Sequence, residues 1–191
     1  MEPKKNLTVE PVRDLKSIQT ISKLLSGKPR DLLLWTLGIN NGLRASDLLR
    51  LKVVDVRHMQ PGDTLQIVES KTGKQNILVV NKSAHKALVK YLAGTKLTDT
   101  DFLFRSRKGG KALQSQAVSK LIQGWCREIN LKGRFGAHTL RKTWGYQQRV
   151  THGVGFELIC RRYNHSSPAI TMRYLGIEDK EVHGILLNEI G

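Results

Sequence analysis

The sequence predicts a mainly helical α+β domain that carries one small antiparallel β-hairpin. Three observations lead there. From Gln114 onward nearly every stretch repeats its apolar residues at helical spacing. Only two runs, TLQIVES (64–70) and QNILVVN (75–81), have β-type composition, and the turn-like Lys71-Thr72-Gly73-Lys74 joins them. The chain of 191 residues has no internal repeat, low-complexity tract or long linker, which suits a single domain.

Taken in order, residues 1–12, with Pro3 and Pro11, read as an irregular lead-in, and 13–191 as the domain. Asp14 to Leu25 follows a helix pattern that stops at Ser26-Gly27. Pro29 to Ile39 is a strongly apolar helix closed by Asn40-Asn41-Gly42, a left-handed C-terminal signal. A short helix over Ala45–Leu51 precedes the hairpin, and helical patterning returns over Ser83–Leu92. The apolar DFLF (101–104) leads into the turn-like Lys108-Gly109-Gly110-Lys111. Further helices are expected over 115–129, 138–150, 155–162, 168–176 and 179–189. For the helix from 168, Ser167 is the expected N-cap and Pro168 the first helical residue.

Charge is the strongest bulk signal. Thirty-two Lys and Arg against sixteen Asp and Glu leave a net charge of +16. A surface this basic points to a polyanion, most often nucleic acid. A ribosome-like binder or a basic but idle surface would show the same excess. A mean hydropathy of −0.34 fits a soluble chain. The longest apolar runs, such as LLLW (32–35), fall far short of the roughly 20 residues that span a bilayer. The N-terminal MEPKKNLTVE lacks a signal-peptide core. Cys126 and Cys160 have no metal-like spacing and read as two reduced thiols.

Four short stretches carry chemistry-bearing residues. In GLRASDLLRL (42–51), Arg44 starts a short helix and Asp47 follows at a spacing that lets it sit beside Arg44 and hold it. A cation at a helix start is disfavoured by the dipole unless a phosphate joins it, although a plain Arg–Asp surface pair explains the stretch equally well. ESKTGKQN (69–76) places Lys71 and Lys74 on a hairpin tip, where they can reach a cleft or simply remain solvated. AHTLRKTWGYQQRV (137–150) puts His138 and Arg141 on one helix face, a proton-transfer group beside a bidentate phosphate clamp. NHSSPAITMRY (164–174) supplies His165 just outside a helix cap and Tyr174 on the helix, where a tyrosine ordinarily packs. HExxH, GxSxG, P-loop and GxGxxG patterns are absent, so neither a metal site nor those other chemistries are indicated.

In that order, Arg44, Lys71, His138, Arg141, His165 and Tyr174 resemble the catalytic boxes of the tyrosine recombinase (phage integrase) family. GLRASDLLRL resembles the first arginine box, with Asp47 at its acidic position. The hairpin lysine is similar to the family's β2–β3 lysine, HTLRKTW resembles the H-x-x-R box, and NHSSPAITMRY the terminal His–Tyr box. The resemblance runs from about residue 12 to the C-terminus. Asn164 departs from it, standing where the family most often has Gly, but Asn tolerates a left-handed turn. An N-terminal helical core-binding domain, usual in the family, is not expected here.

The resemblance implies a site-specific recombinase or integrase. Tyr174 is then the nucleophile, Arg44 and Arg141 grip the non-bridging oxygens, and His138 assists proton transfer. His165 hydrogen-bonds the scissile phosphate, and Lys71, preferred over Lys74, protonates the departing 5′ oxygen. The product is a 3′-phosphotyrosyl link, formed with no metal, cofactor or ATP. A DNA-binding regulator or excision factor on the same fold, with cleavage lost or incidental, is the alternative, and a type IB topoisomerase-like nicking-closing activity a third. The expected partner is double-stranded DNA, contacted also by Lys74, Arg105, Arg107, Lys108, Lys111, Arg161 and Arg162. Self-association into a ring of four through the helix at 179–189 is implied, with no membrane partner. A cytoplasmic, DNA-associated protein of bacterial or phage origin fits this reading.

Overall fold

The computed structural model describes residues 8–106, 109–177 and 189. Helix α1 (Leu15–Leu24) begins where Asp14 Oδ1 accepts from the Ser17 amide at 2.7 Å. Helix α2 (Pro29–Asn41) starts on a proline whose missing N–H costs nothing there, and Gly42 closes it in the left-handed conformation, φ 61°. A side chain at Gly42 is also excluded by space: its Cβ would lie 2.5 Å from Trp144 Cε3. Helix α3 (Ala45–Leu48) is shorter than the patterning to Leu51 predicts, and a further turn, α4 (Val53–Val56), follows it. That turn was not foreseen. It is capped by Asp55 Oδ2 accepting from the Lys52 amide at 2.7 Å, and four residues are too few to show a period.

Strands β1 (Thr64–Val68) and β2 (Gln75–Val79) form the expected antiparallel hairpin, with Thr64 opposite Val79 and Val68 opposite Gln75. The remaining helices are α5 (Lys82–Ala93), α6 (Ser115–Glu128), α7 (Ala137–Val150), α8 (Phe156–Tyr163) and α9 (Pro168–Leu175). Ser167 caps α9 as its sequence predicts, its Oγ accepting from the Ile170 amide. The expected helix at 179–189 lies outside the described residues apart from Glu189.

Helix α2 is the buried axis of the molecule. Leu33, Leu34, Trp35 and Leu37 pack with Leu88 of α5, Val118, Ile122 and Trp125 of α6, Leu140 of α7, and Leu78 of β2. Trp35 and Trp125 meet edge to face at 6.2 Å. A second, smaller apolar cluster of Phe156, Ile159, Tyr163, Leu175 and Ile177 binds α8 and α9 against Trp144 of α7. Residues before α1 also take part: Val12 is fully buried, and its amide donates to Thr143 Oγ1 at 2.9 Å. Asn41 Oδ1 accepts from the Val79 amide at 2.8 Å, tying the end of α2 to the hairpin. Cys126 and Cys160 are free and buried.

Candidate active site

The C-terminal end of α2, the hairpin base, the first turns of α7 and the α8–α9 junction meet at one place. Arg44 is the residue before α3 and follows the buried Leu43 that the left-handed Gly42 turns inward. Its Nη1 lies 2.6 Å from Glu69 Oε2. Glu69 is buried just past β1 and accepts from Thr72 Oγ1 at 2.6 Å and Asn76 Nδ2 at 2.9 Å. Burial pushes the Glu69 carboxyl up, but the hydrogen bonds from Thr72 and Asn76 and the Arg44 ion pair outweigh it and hold it at about 2. Arg44 is thus locked to the hairpin by a carboxylate that stays charged.

That carboxylate is not the expected one. Asp47 does not pair with Arg44: it is buried, and its Oδ1 accepts from the Ser70 amide at 2.9 Å and Ser70 Oγ at 2.8 Å. The one-turn spacing brings Asp47 to the correct side of α3, but the hairpin end reaches it first. Both acidic groups therefore pin the hairpin, one through the arginine and one directly.

Helix α7 starts where the Ala137 amide donates to Ser119 Oγ at 3.0 Å and Thr139 Oγ1 donates to Glu10 O at 2.8 Å. His138 stands exposed in its first turn, and Arg141 is buried one turn on. Arg141 donates from Nη1 to Gly42 O and from Nη2 to Tyr163 O, both at 2.7 Å, and its guanidinium lies 4.2 Å from the Tyr163 ring centre. The Arg141 charge also acts on the Tyr174 phenol. Helix α8 ends at Asn164, which adopts φ 54°, the left-handed turn that Asn accepts in place of Gly. His165 follows, with Nδ1 3.0 Å from Oγ1 of the fully buried Thr171.

Tyr174 closes the cluster. Its hydroxyl is 3.5 Å from His138 Nδ1, and its ring meets those of His165 and Tyr163 edge to face at 5.4 and 5.6 Å. Burial raises its phenol, and Arg141 and Arg44 oppose the rise. Burial, with Arg141 and Arg44 behind it, lowers the His165 imidazole to about 4. The same causes, joined by Lys142 and Lys71, lower His138. Lys71 lines a groove of about 300 Å³ with Arg44, Ser46, Ser115, Ser119 and His138. Lys74 is exposed on the same hairpin turn but does not line the groove.

Residues 8–181 match the phage integrase family. The chain belongs to that family. It is 36% identical over 174 residues to the probable integrase/recombinase YoeC of Bacillus subtilis, covering 90% of this chain and 91% of the relative. Against the tyrosine recombinase XerC of Caldanaerobacter subterraneus it is 28% identical over 161 residues, 81% of this chain but only 43% of the relative. The chain therefore spans less than half of that XerC. The crystal structure of XerA recombinase superposes with a TM-score of 0.75 at 20% identity, covering 96% of this chain and 68% of that one. The mainly helical fold with its two-stranded sheet is that of a tyrosine recombinase catalytic domain.

Within this integrase fold the basic residues expected on DNA fall into different settings. Arg161 is exposed on α8. Arg162 is turned inward instead: it donates from Nε to Asn41 O at 2.9 Å, from Nη1 to Asn76 Oδ1 at 2.6 Å and from Nη2 to Ile77 O at 2.8 Å. Its fork is occupied by the hairpin and the end of α2. Arg105 is exposed and paired with Asp101 at 3.1 Å. It lines the 870 Å³ concavity beside Arg30 and Tyr91, at the opposite end of α2 from Tyr174. Lys111 is exposed near it, while Arg107 and Lys108 lie outside the described residues. Among the described residues no group of His, Cys, Asp and Glu is arranged to hold a metal ion, and no helix is long and apolar enough to cross a membrane.

The sequence reading passed over Glu69, Thr171 and Lys142. Glu69 had a signal: alternation places it with Leu65 and Ile67 on the inward face of β1, and an inward carboxylate demands a cation. Lys142 is one helical turn from His138 and shares its face. For Thr171 no sequence signal existed, because its role depends on how the Asn164 turn swings His165 back over α9.

Proposed function

We propose that this chain cuts and rejoins double-stranded DNA at a specific site, with Tyr174 as the covalent nucleophile. The observation that carries the reading is the setting of one hydroxyl: Tyr174 Oη lies 3.5 Å from His138 Nδ1, and the charges of Arg141 and Arg44 act on it. Tyr174 Oη forms a bond to the scissile phosphorus and the bond from phosphorus to O5′ breaks. The phenol proton passes to His138, whose lowered basicity keeps it neutral and able to accept near pH 7. Lys71 donates a proton to O5′, leaving a 5′ hydroxyl and a 3′-phosphotyrosyl link. Its place in the groove with Arg44 and His138 supports Lys71 over Lys74.

Charge building on the non-bridging oxygens meets Arg44 and Arg141, fork-shaped and permanently cationic. Both forks are held before DNA arrives, Arg44 by Glu69 and Arg141 by the Gly42 and Tyr163 carbonyls. Thr171 Oγ1 lies 3.0 Å from His165 Nδ1; in the tautomer with the proton on Nε2, Thr171 donates to Nδ1 and neutral His165 donates from Nε2 to a phosphate oxygen. One phosphodiester is exchanged for another, so religation with an incoming 5′ hydroxyl requires no ATP. The net charge of +16 supports the DNA partner. Assembly of four copies through the segment at 179–189 belongs to the same proposal.

The test is a nicked suicide duplex carrying a site that the protein itself selects from a random library. A covalent protein–DNA band on a denaturing gel is expected for the wild type and not for Tyr174→Phe. A band that survives in Tyr174→Phe removes Tyr174 as nucleophile. Tight binding with no band from the wild type makes the chain a DNA-binding regulator instead.

A further inference from the structure

Lys142 is buried, at 5% exposure, and among the described residues no carboxylate pairs with it. A lysine enclosed to this degree gives up hydration, and Glu10 acts on it only through its charge, so its retention calls for a reason. Its neighbour supplies one: Nζ stands 4.6 Å from the centre of the Tyr174 ring. The hydroxyl of that ring lies 3.5 Å from His138 Nδ1, and the rings of Tyr163 and His165 meet it edge to face. We propose that Lys142 is a positioning residue for Tyr174, holding the ring in register with the phosphate site and favouring its phenolate.

The physics is a cation on a π-face. A phenol ring attracts an ammonium through its quadrupole, and the ring of a phenolate attracts it more strongly because it carries a net negative charge. Lys142 therefore stabilises the deprotonated nucleophile more than the resting one. This opposes the burial that raises Tyr174. Other charged and titratable groups face the pair from each neighbouring element. Arg141 and His138 come from α7, Tyr163 from α8, His165 from the turn after it and Arg44 from the start of α3. Glu10 and Arg13 act on Lys142 from the segment before α1, with opposite signs. Burial lowers the Lys142 ammonium, and Glu10 opposes the fall. Its Nζ stands over the ring, and we assign it no part in gripping the phosphate.

The inference rests on Tyr174 being the nucleophile, and the experiment separates the two. Tyrosine ring carbons are labelled for NMR and titrated in wild type, Lys142→Met and Lys142→Arg, with Tyr174→Phe identifying the signal. Removing a cation at this range is expected to raise the Tyr174 midpoint by roughly one unit. In parallel, adduct formation on the suicide duplex should slow about tenfold near pH 7 in Lys142→Met. Its alkaline limb should move up by the same amount, while duplex affinity is unchanged. Lys142→Arg, which keeps a cation over the ring, should restore both readings. Lys142→Gln gives the same measurements should the methionine variant fail to fold. A Tyr174 midpoint unmoved in the neutral variants overturns the proposal, as does a slower rate with an unshifted pH profile. A wild type that forms no adduct would strike the recombinase reading alone, since the titration still reports on Lys142.

Discussion

His165 and His138 stand among guanidinium and ammonium groups, so each ring is of more use as a neutral donor or acceptor than as a third cation. For His165 this has a consequence for stability. Burial and the two arginines lower its imidazole from 6.5 to about 4 in the folded chain. Between those values the unfolded chain binds the extra proton and the native one does not, so stability is lost as pH falls through that window. Urea midpoints taken at about pH 7 and about pH 4.5 should differ by about 2 kcal/mol more in the wild type than in His165→Gln, which keeps a polar partner for Thr171. Equal pH dependence in the two proteins would mean that His165 titrates normally. At this scale the sequence was a good guide to the chemistry-bearing residues that gather around Tyr174. It was a poor guide to those that hold them. Glu69 took the place expected of Asp47, since a partner across the hairpin turn outcompeted one in the same helix. Residue types reveal what a site needs, while partner choice is decided by packing.

Helices α7, α8 and α9 form the element that carries His138, Arg141, His165 and Tyr174, and a close approach holds them together. Gly145 of α7 lies under the Tyr163 ring, and a Cβ there would collide with the Tyr163 hydroxyl, which donates to Arg141 O. Gly145→Ala should gain up to about 1 kcal/mol of helix propensity and lose roughly 2–3 kcal/mol to overpacking. The net effect is a loss of about 1–2 kcal/mol in urea unfolding, with faster amide exchange along α8 and α9. Gly124 of α6 is the control: a Cβ there meets nothing within 4 Å, so Gly124→Ala should stabilise by roughly 0.5–1 kcal/mol. If both substitutions stabilise, the α7–α8 contact is looser than the packing indicates. The long helices were legible in the sequence within a residue or two, because each has a face periodic enough to read and a cap or a stop residue to bound it. The four-residue α4 was not, being too short for periodicity to register. What no pattern could show is that α8 and α9 share a small apolar cluster of their own, centred on Tyr163, against α7. That cluster makes the position of Tyr174 a property of three helices.

For the whole molecule, the charge excess acts on DNA only where it is exposed, and neighbouring arginines differ in that respect. Arg161 faces solvent on α8, whereas Arg162 spends its guanidinium on Asn41, Asn76 and Ile77. Each phosphate contact adds close to one unit to the slope of log affinity against log salt. If Arg161 makes such a contact, Arg161→Ala should weaken duplex binding at low salt and reduce that slope by about one, with its urea midpoint unchanged. Arg162→Ala should do the reverse. Its loss leaves the Asn41 and Ile77 carbonyls without their guanidinium donor, while Asn76 Oδ1 keeps the Ile77 amide; this costs roughly 2–3 kcal/mol of stability and leaves the salt slope alone. Because the hairpin tied down by Arg162 also carries Glu69 and Lys71, adduct formation in Arg162→Ala should fall further than the stability loss alone explains. A salt slope that drops in Arg162→Ala would show the guanidinium leaving its inward partners for DNA. In that case the hairpin would be released on binding, and the Arg44–Glu69 lock would be a feature of the free protein only.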